Sequence, residues 1–123
     1  MTTILTIPGR VHGLNGKEGL INLHYRDRAR LKEMWTWLFL SQAKGNRHAG
    51  KVEVIITRYG IKIMEDFDNL ACTMKIPMDA VKNAHIIKDD KMRIIGIPEF
   101  RQVRVASESL EKYVMEITDV VEP

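Results

Sequence analysis

The segment Lys51-Val-Glu-Val-Ile-Ile-Thr-Arg-Tyr59 is rich in β-branched residues, a composition that is typical of a β-strand. Apolar residues occupy both alternating sets of positions, so the predicted strand has two partly apolar faces. The chain then runs through residues 60–65 to two carboxylates, Asp66 and Asp68. The strand is therefore expected to lead directly into an acidic turn.

Two helices are predicted, one on each side of this strand along the chain. Over residues 26–44, apolar residues recur at three- and four-residue steps, which predicts the first helix. Its predicted buried stripe is Leu31, Met34, Trp35, Leu38 and Phe39, and Trp37 lies off that stripe. Residues 69–83 predict the second helix, in which Pro77 implies a kink or a fresh start near Lys75. Its predicted inward residues are Leu70, Met74, Met78 and Val81.

The remaining patterns predict short strands. Residues 3–7 are mostly β-branched and are followed by Pro8 and Gly9, which end the first strand. Three later strands are predicted over residues 92–97, 102–106 and 112–120. This order predicts one α/β (α+β) domain over residues 1–123, with a mixed sheet and two main helices.

Length and composition suit a globular domain with one core. The chain has 123 residues, of which 45% are hydrophobic and 28% charged, an ordinary balance for such a domain. Cys72 is the one cysteine, so no disulfide forms within the chain, which fits a reducing compartment. Neither a signal peptide nor an apolar run of transmembrane length is apparent. We expect a soluble, cytoplasmic protein that does not bind membranes.

Charge is distributed unevenly along the chain. Residues 1–62 carry 11 Lys and Arg against 4 Asp and Glu, whereas residues 63–123 carry 8 against 12. A basic half beside an acidic cluster suits a partner with a phosphate backbone that must approach a metal ion. Scattered surface charge is the simpler alternative.

The acidic turn itself allows two interpretations. Asp66 and Asp68 are two positions apart, so in an extended segment their side chains point the same way and repel each other unless a cation lies between them. A hard cation such as Mg²⁺ prefers a few carboxylate oxygens together with water and phosphate. Alternatively, Asp and Asn side chains in such a turn cap a helix by bonding nearby backbone N–H groups.

The residues around the turn resemble the RusA family of Holliday-junction resolvases. The matching residues are Asp66-Phe67-Asp68-Asn69-Leu70, then Lys75 and Asp79-Ala80-Val81, and then Asp89-Asp90. Their order and approximate spacing are similar to the family pattern of D-x-D-N-L, a lysine, a D-A-L/V helix and a final D-D. Pro8-Gly9-Arg10, followed by Asn15, is similar to the family's opening.

The resemblance implies a function and its residues. It implies that Asp66, Asp68 and Asp90 bind Mg²⁺, for which Mn²⁺ substitutes, and that Lys75 assists catalysis at the phosphate. Asp79, Asp89 and Asn15 are secondary candidates. The implied activity is symmetric phosphodiester hydrolysis of four-way DNA junctions by a homodimer, since two equivalent strands need two equivalent sites.

The sequence is also compatible with two other classes of function. One is a nuclease of the same fold that acts on other branched DNA. The other is a DNA-binding protein without enzymatic activity, in which the carboxylates only cap a helix.

Overall fold

The structure is a computed structural model that describes residues 1–9 and 25–121. Its strands are β1 (Thr2–Pro8), β2 (Val52–Gly60), β3 (Glu99–Arg104) and β4 (Lys112–Asp119). Its helices are α1 (Tyr25–Ala43), α2 (Phe67–Cys72), α3 (Lys75–Asn83) and α4 (Met92–Ile95), and a short 3₁₀ turn spans Glu108–Leu110. Among these described residues, no helix has the length and apolarity needed to cross a bilayer.

The four strands form one mixed sheet in the order β1-β4-β2-β3. β4 pairs with β1 and β2 in antiparallel fashion, and β3 pairs with β2 in parallel. The crossover from β2 to β3 carries α2, α3 and α4, as a parallel connection requires. The predicted α+β class with a mixed sheet is therefore confirmed.

The core lies between one face of the sheet and the helices. Leu5, Ile56 and Met115 come from neighbouring strands and are almost completely buried, because β4 brings Met115 opposite both of the others. α1 contributes Trp35 and Phe39 to this core, and it packs against both β1 and α3. The alternation of buried and exposed residues along β1 and β4 shows that only one face of these strands is covered within the part described.

The first helix is confirmed, with one residue placed differently from the prediction. Trp35 and Phe39 are buried, while Trp37, which lies off the predicted stripe, is 67% exposed. Met34 was predicted to be buried and is 55% exposed, so that prediction is wrong. The buried stripe follows four-residue steps through Trp35, Phe39 and Ala43, and Met34 falls on its solvent edge.

The second predicted helix is two helices, α2 and α3. The new start is at Lys75, which places Pro77 in the first turn of α3, where a missing N–H costs least. This confirms the fresh start rather than the kink. Leu70, Met74, Met78 and Val81 are all buried, as the pattern predicted.

Residues 92–97 are not a strand, and this prediction is wrong. Met92–Ile95 form one helical turn, α4, which Gly96 ends with a φ of 62°. A single turn buries Ile95 alone, whereas Met92 and Ile97 are 67% and 81% exposed. The next strand starts at Glu99, earlier than predicted, because the register with β2 begins there.

Two glutamines bind the main chain in the same two-bond manner. Gln42 of α1 accepts the Thr6 N–H at 2.7 Å and donates to the Thr6 carbonyl at 2.8 Å. It thus satisfies the backbone groups of Thr6 on the outer side of β1, which has β4 as its one neighbour among the described strands. Gln102 of β3 binds Met64 equivalently, at 2.8 and 2.9 Å. These two glutamines lie at opposite edges of the sheet.

A buried polar network connects three distant parts of the chain. His48 is 2% exposed; its Nε2 lies 2.7 Å from Thr3 Oγ1 and its Nδ1 lies 2.7 Å from Asp119 Oδ1. Asp119 also pairs with the amino group of Met1 at 3.3 Å. The hydrogen bond from His48 is the main cause that lowers the pKa of Asp119. The network holds the start of β1 and the end of β4 to the turn after α1.

Candidate active site

Three of the predicted site residues line one cleft. It has a volume of about 340 Å³ and lies between the helices of the β2–β3 crossover and the sheet. Its charged residues are Lys75, Asp79 and Asp90. Its apolar lining consists of Ile56, Ala71, Met74, Met78, Ile95, Pro98 and Phe100. The cleft therefore offers one cation and two carboxylates above a largely apolar base.

Lys75 and Asp79 reach the cleft because α3 begins where it does. Lys75 is the first residue of α3, and Asp79 follows four residues later, so the two side chains lie on the same helix face. The opposite face of α3 is anchored in the core by Ala80 and Val81, both of which are completely buried. Lys75 is exposed and Asp79 is half-buried.

Asp89 and Asp90 are adjacent but have different surroundings. Asp89 accepts the backbone N–H of Asp90 at 2.8 Å and pairs with Lys82 at 3.4 Å and with Lys91 at 3.9 Å. The N–H of Asp90 is the largest cause that lowers the pKa of Asp89, and Lys82 adds to the shift. Asp90 lies 3.8 Å from Lys82 and lines the cleft. Asp89 thus fixes the loop, while Asp90 faces the cavity.

The acidic turn caps α2. Asp66 Oδ1 accepts the N–H of Asp68 at 3.0 Å, and the carbonyl of Asp66 accepts the N–H of Leu70 at 3.0 Å. This is the capping geometry that Asp favours at a helix start. Asp66 and Asp68 are exposed and are not among the described residues that line the cleft.

Two contacts hold the acidic turn beside the cleft. The ring of Phe67, between the two aspartates, meets the ring of Phe100 edge to face, with centroids 6.1 Å apart. Phe100 belongs to the cleft wall. Met64 lies just before the turn, and the side chain of Gln102 forms two hydrogen bonds with its backbone. β3 therefore positions the segment that carries Asp66 and Asp68.

The carboxylates in and beside the cleft are of the ligand type that Mg²⁺ prefers. Within residues 1–9 and 25–121, no group of three or more His, Cys, Asp and Glu side chains is close enough to hold a metal. Mg²⁺ commonly takes only one or two carboxylates and completes its shell with water and substrate phosphate. Asp79 and Asp90 line one cleft and supply carboxylates of that type, whereas the predicted set of Asp66, Asp68 and Asp90 is not a close group among the described residues.

The sequence did not single out every residue that shapes this region. Phe100 and Gln102 lie more than 30 positions after the turn that they position, and no spacing rule connects them. Asn15, a secondary candidate, lies outside the described residues.

No protein-family model matches this chain, and no curated protein matches it in sequence. The similarity to RusA resolvases therefore rests on the residues quoted from the sequence.

Proposed function

We propose that this protein is a Mg²⁺-dependent endodeoxyribonuclease that cuts branched DNA, with the four-way junction as its substrate. The observation that carries the proposal is the shared cleft of Lys75, Asp79 and Asp90. These residues combine the ligands that Mg²⁺ prefers with a cation suited to a phosphate. The similarity of the acidic motifs to RusA resolvases supports the same chemistry.

Each residue has a distinct task in this proposal. Asp90 and Asp79 would hold the metal at the cleft, and Asp66 and Asp68 would contribute from the adjoining turn. A Mg²⁺ ion held there would activate a water molecule for attack and would polarise the scissile phosphate of the DNA. The ammonium group of Lys75 stabilises the negative charge that grows on the phosphate oxygens in the transition state.

The partner and the assembly follow from the substrate. A four-way junction has near two-fold symmetry, so cutting two strands symmetrically requires two equivalent sites. We therefore propose a homodimer. Basic residues outnumber acidic ones in residues 1–62, a balance that favours contact with the phosphate backbone.

A panel of DNA substrates tests the activity. Four-way, three-way and linear duplexes are incubated with the protein in Mg²⁺, in Mn²⁺ and in EDTA. A resolvase cuts the four-way junction at symmetric positions in either metal and leaves all substrates intact in EDTA. Preference for three-way or flapped DNA would instead indicate another structure-selective nuclease. No cleavage in either metal would overturn the proposal.

The capping bond of Asp66 favours one alternative, a DNA-binding protein without activity. Asp68→Asn separates the two functions, because the change retains the side-chain size and removes the charge. For the nuclease, the variant binds junctions as tightly as the wild type and loses cleavage. Glu65→Gln, an equal charge change on an exposed neighbour, is the control and keeps full activity. If the wild type binds junctions without cutting them, the DNA-binding protein is the correct function.

A further inference from the structure

A second pocket lies beside the segment that leads to Asp90. It has a volume of about 360 Å³ and is lined by Arg47, His48, Ala49, His85, Ile87 and Lys88. We propose that this basic pocket binds a backbone phosphate of the DNA that enters the cleft. For its ligand, this inference rests on the proposed function.

The charges of the basic pocket all have one sign. Arg47, His85 and Lys88 are exposed and face it, and none of the described residues in its lining is acidic. The ring of His48 is not available to a ligand, because Asp119 and Thr3 occupy its two nitrogens. Arg47, His85 and Lys88 are therefore the donors that a phosphate would meet, and Arg suits the planar, two-bond recognition of phosphate.

The pocket is built on a firmly connected backbone. At the end of α3, the N–H of Ile86 donates to the Val81 carbonyl at 3.2 Å and the N–H of His85 donates to the Lys82 carbonyl at 2.9 Å. These two bonds form a Schellman motif, whose left-handed position usually holds glycine. Here His85 holds it, with a φ of 59°. A side chain thus projects from a position where helices ordinarily have none.

The other wall of the pocket is joined to the first. The N–H of His48 donates to the Ile86 carbonyl at 2.8 Å, and Arg47 Nη1 lies 3.4 Å from the His85 carbonyl. The turn after α1 and the end of α3 are thereby held together. These bonds fix the chain positions that carry Arg47 and His85 relative to each other, which lowers the cost of ordering the pocket around a phosphate.

The basic pocket is close to the cleft along the chain. Lys88 precedes Asp90 by two residues, so their Cα atoms are no more than about 7 Å apart. A polynucleotide carries phosphates at regular intervals, and one phosphate at Asp90 would place neighbouring ones near this pocket. The competing explanation is that the cations only complement the carbonyl end of α3.

The first experiment uses inorganic phosphate and the full chain. Phosphate is titrated into ¹⁵N-labelled protein, and backbone amide shifts are followed by NMR. The proposal predicts saturable shifts at Arg47, His85 and Lys88 that disappear in the Arg47→Gln, Lys88→Gln double variant. Absence of saturable shifts in the wild type would overturn the phosphate site. This readout requires neither DNA nor cleavage, so it stands if the nuclease proposal fails.

The second experiment measures binding of a labelled four-way junction in EDTA. The Arg47→Gln, Lys88→Gln variant should bind about tenfold more weakly, and the slope of log K against log salt should become shallower by about 0.9, the contribution of the one phosphate contact that is lost. The control is Arg101→Gln, Arg104→Gln, which removes the same charge from exposed positions on β3 outside the pocket. This control variant should change the salt slope by less than half of the change measured for the pocket variant.

The outcomes separate the two claims. Phosphate shifts at the pocket, together with unchanged junction binding in the pocket variant, would overturn DNA as the ligand. Equal losses in the pocket and control variants would overturn the assignment as well, since they would reflect net charge alone. His85→Gly retains the backbone conformation and removes the ring, so it should weaken phosphate binding without unfolding the protein. Unchanged phosphate affinity in this variant would remove His85 from the site.

Discussion

Replacing Gln102 by methionine tests whether β3 positions the acidic turn. Methionine has nearly the length of glutamine but has neither the amide donor nor its oxygen. The variant therefore loses the two hydrogen bonds to Met64, which measure 2.8 and 2.9 Å, and a longer one that Arg58 Nη1 donates to Gln102 Oε1 at 3.3 Å. Met64 lies two residues before Asp66, so the segment carrying both turn aspartates loses its connection to β3.

The size of the effect follows mainly from the two short bonds to Met64. A neutral hydrogen bond contributes about 0.5–1.5 kcal/mol, so the pair contributes about 1–3 kcal/mol. Met64 and Gln102 are both half-buried, and water replaces part of what is lost. We therefore expect a loss of about 1–2 kcal/mol in the free energy of unfolding. Because a displacement of about 1 Å can cost about 100-fold in rate, cleavage should fall about 10- to 100-fold.

Gln42→Met is the matched control. Gln42 binds Thr6 through the same two bonds, but at the β1 edge, three strand spacings from β3, which is about 14 Å. Urea denaturation should show similar losses of stability in both variants. Junction cleavage in Mg²⁺ should fall only in Gln102→Met. Equal activity in the two variants, at equal loss of stability, would refute the positioning role of Gln102.

Three further predictions concern stability. His85→Gly should leave the unfolding free energy unchanged or raise it by up to about 1 kcal/mol, because glycine adopts the left-handed conformation without strain; a clear loss in urea denaturation would contradict this. The pKa of Asp119 is lowered in the folded state, mainly by His48, so its contribution is complete above the unfolded pKa of about 3.9 and is lost as pH falls through the lower folded value. Urea titrations from pH 2 to 7 should show that loss in the wild type and a smaller one in Asp119→Asn, and identical pH profiles would argue against it. Phe39→Ala should cost about 3–5 kcal/mol because the ring is fully buried, whereas Trp37→Ala on the exposed face should cost less than about 1 kcal/mol; similar losses would contradict the placement of α1.

Local patterns predicted the elements whose signals were long or chemically specific. The stripe through Trp35 and Phe39 identified α1, and the fixed geometry of Pro77 predicted either a kink or a new helix start near Lys75, of which the structure has the new start. The strand predicted over residues 92–97 was wrong because a segment of six residues, four of them apolar, is compatible with either a strand or a helical turn. Gly96, with its positive φ, resolves that ambiguity only in the folded chain.

The candidate site was predictable in part. Lys75 and Asp79 share a helix face by spacing alone, and that placement follows from sequence. That Asp90 lines the same cleft depends on the path of the chain after α3, which no local rule provides. In the polar network, His48 is 45 positions from Thr3 and 71 positions from Asp119 in the sequence. No local pattern predicts contacts between residues so far apart, because only the folded chain brings them together.

The most direct measurement compares Asp90→Asn with Asp89→Asn in junction cleavage with Mg²⁺. The two variants remove the same charge from adjacent residues, but Asp90 lines the cleft and Asp89 is engaged with Lys82 and Lys91. We expect Asp90→Asn to lower the cleavage rate at least about 100-fold while junction binding persists, and Asp89→Asn to lower it less than about tenfold. Full cleavage by Asp90→Asn, or equal losses in the two variants, would contradict this expectation.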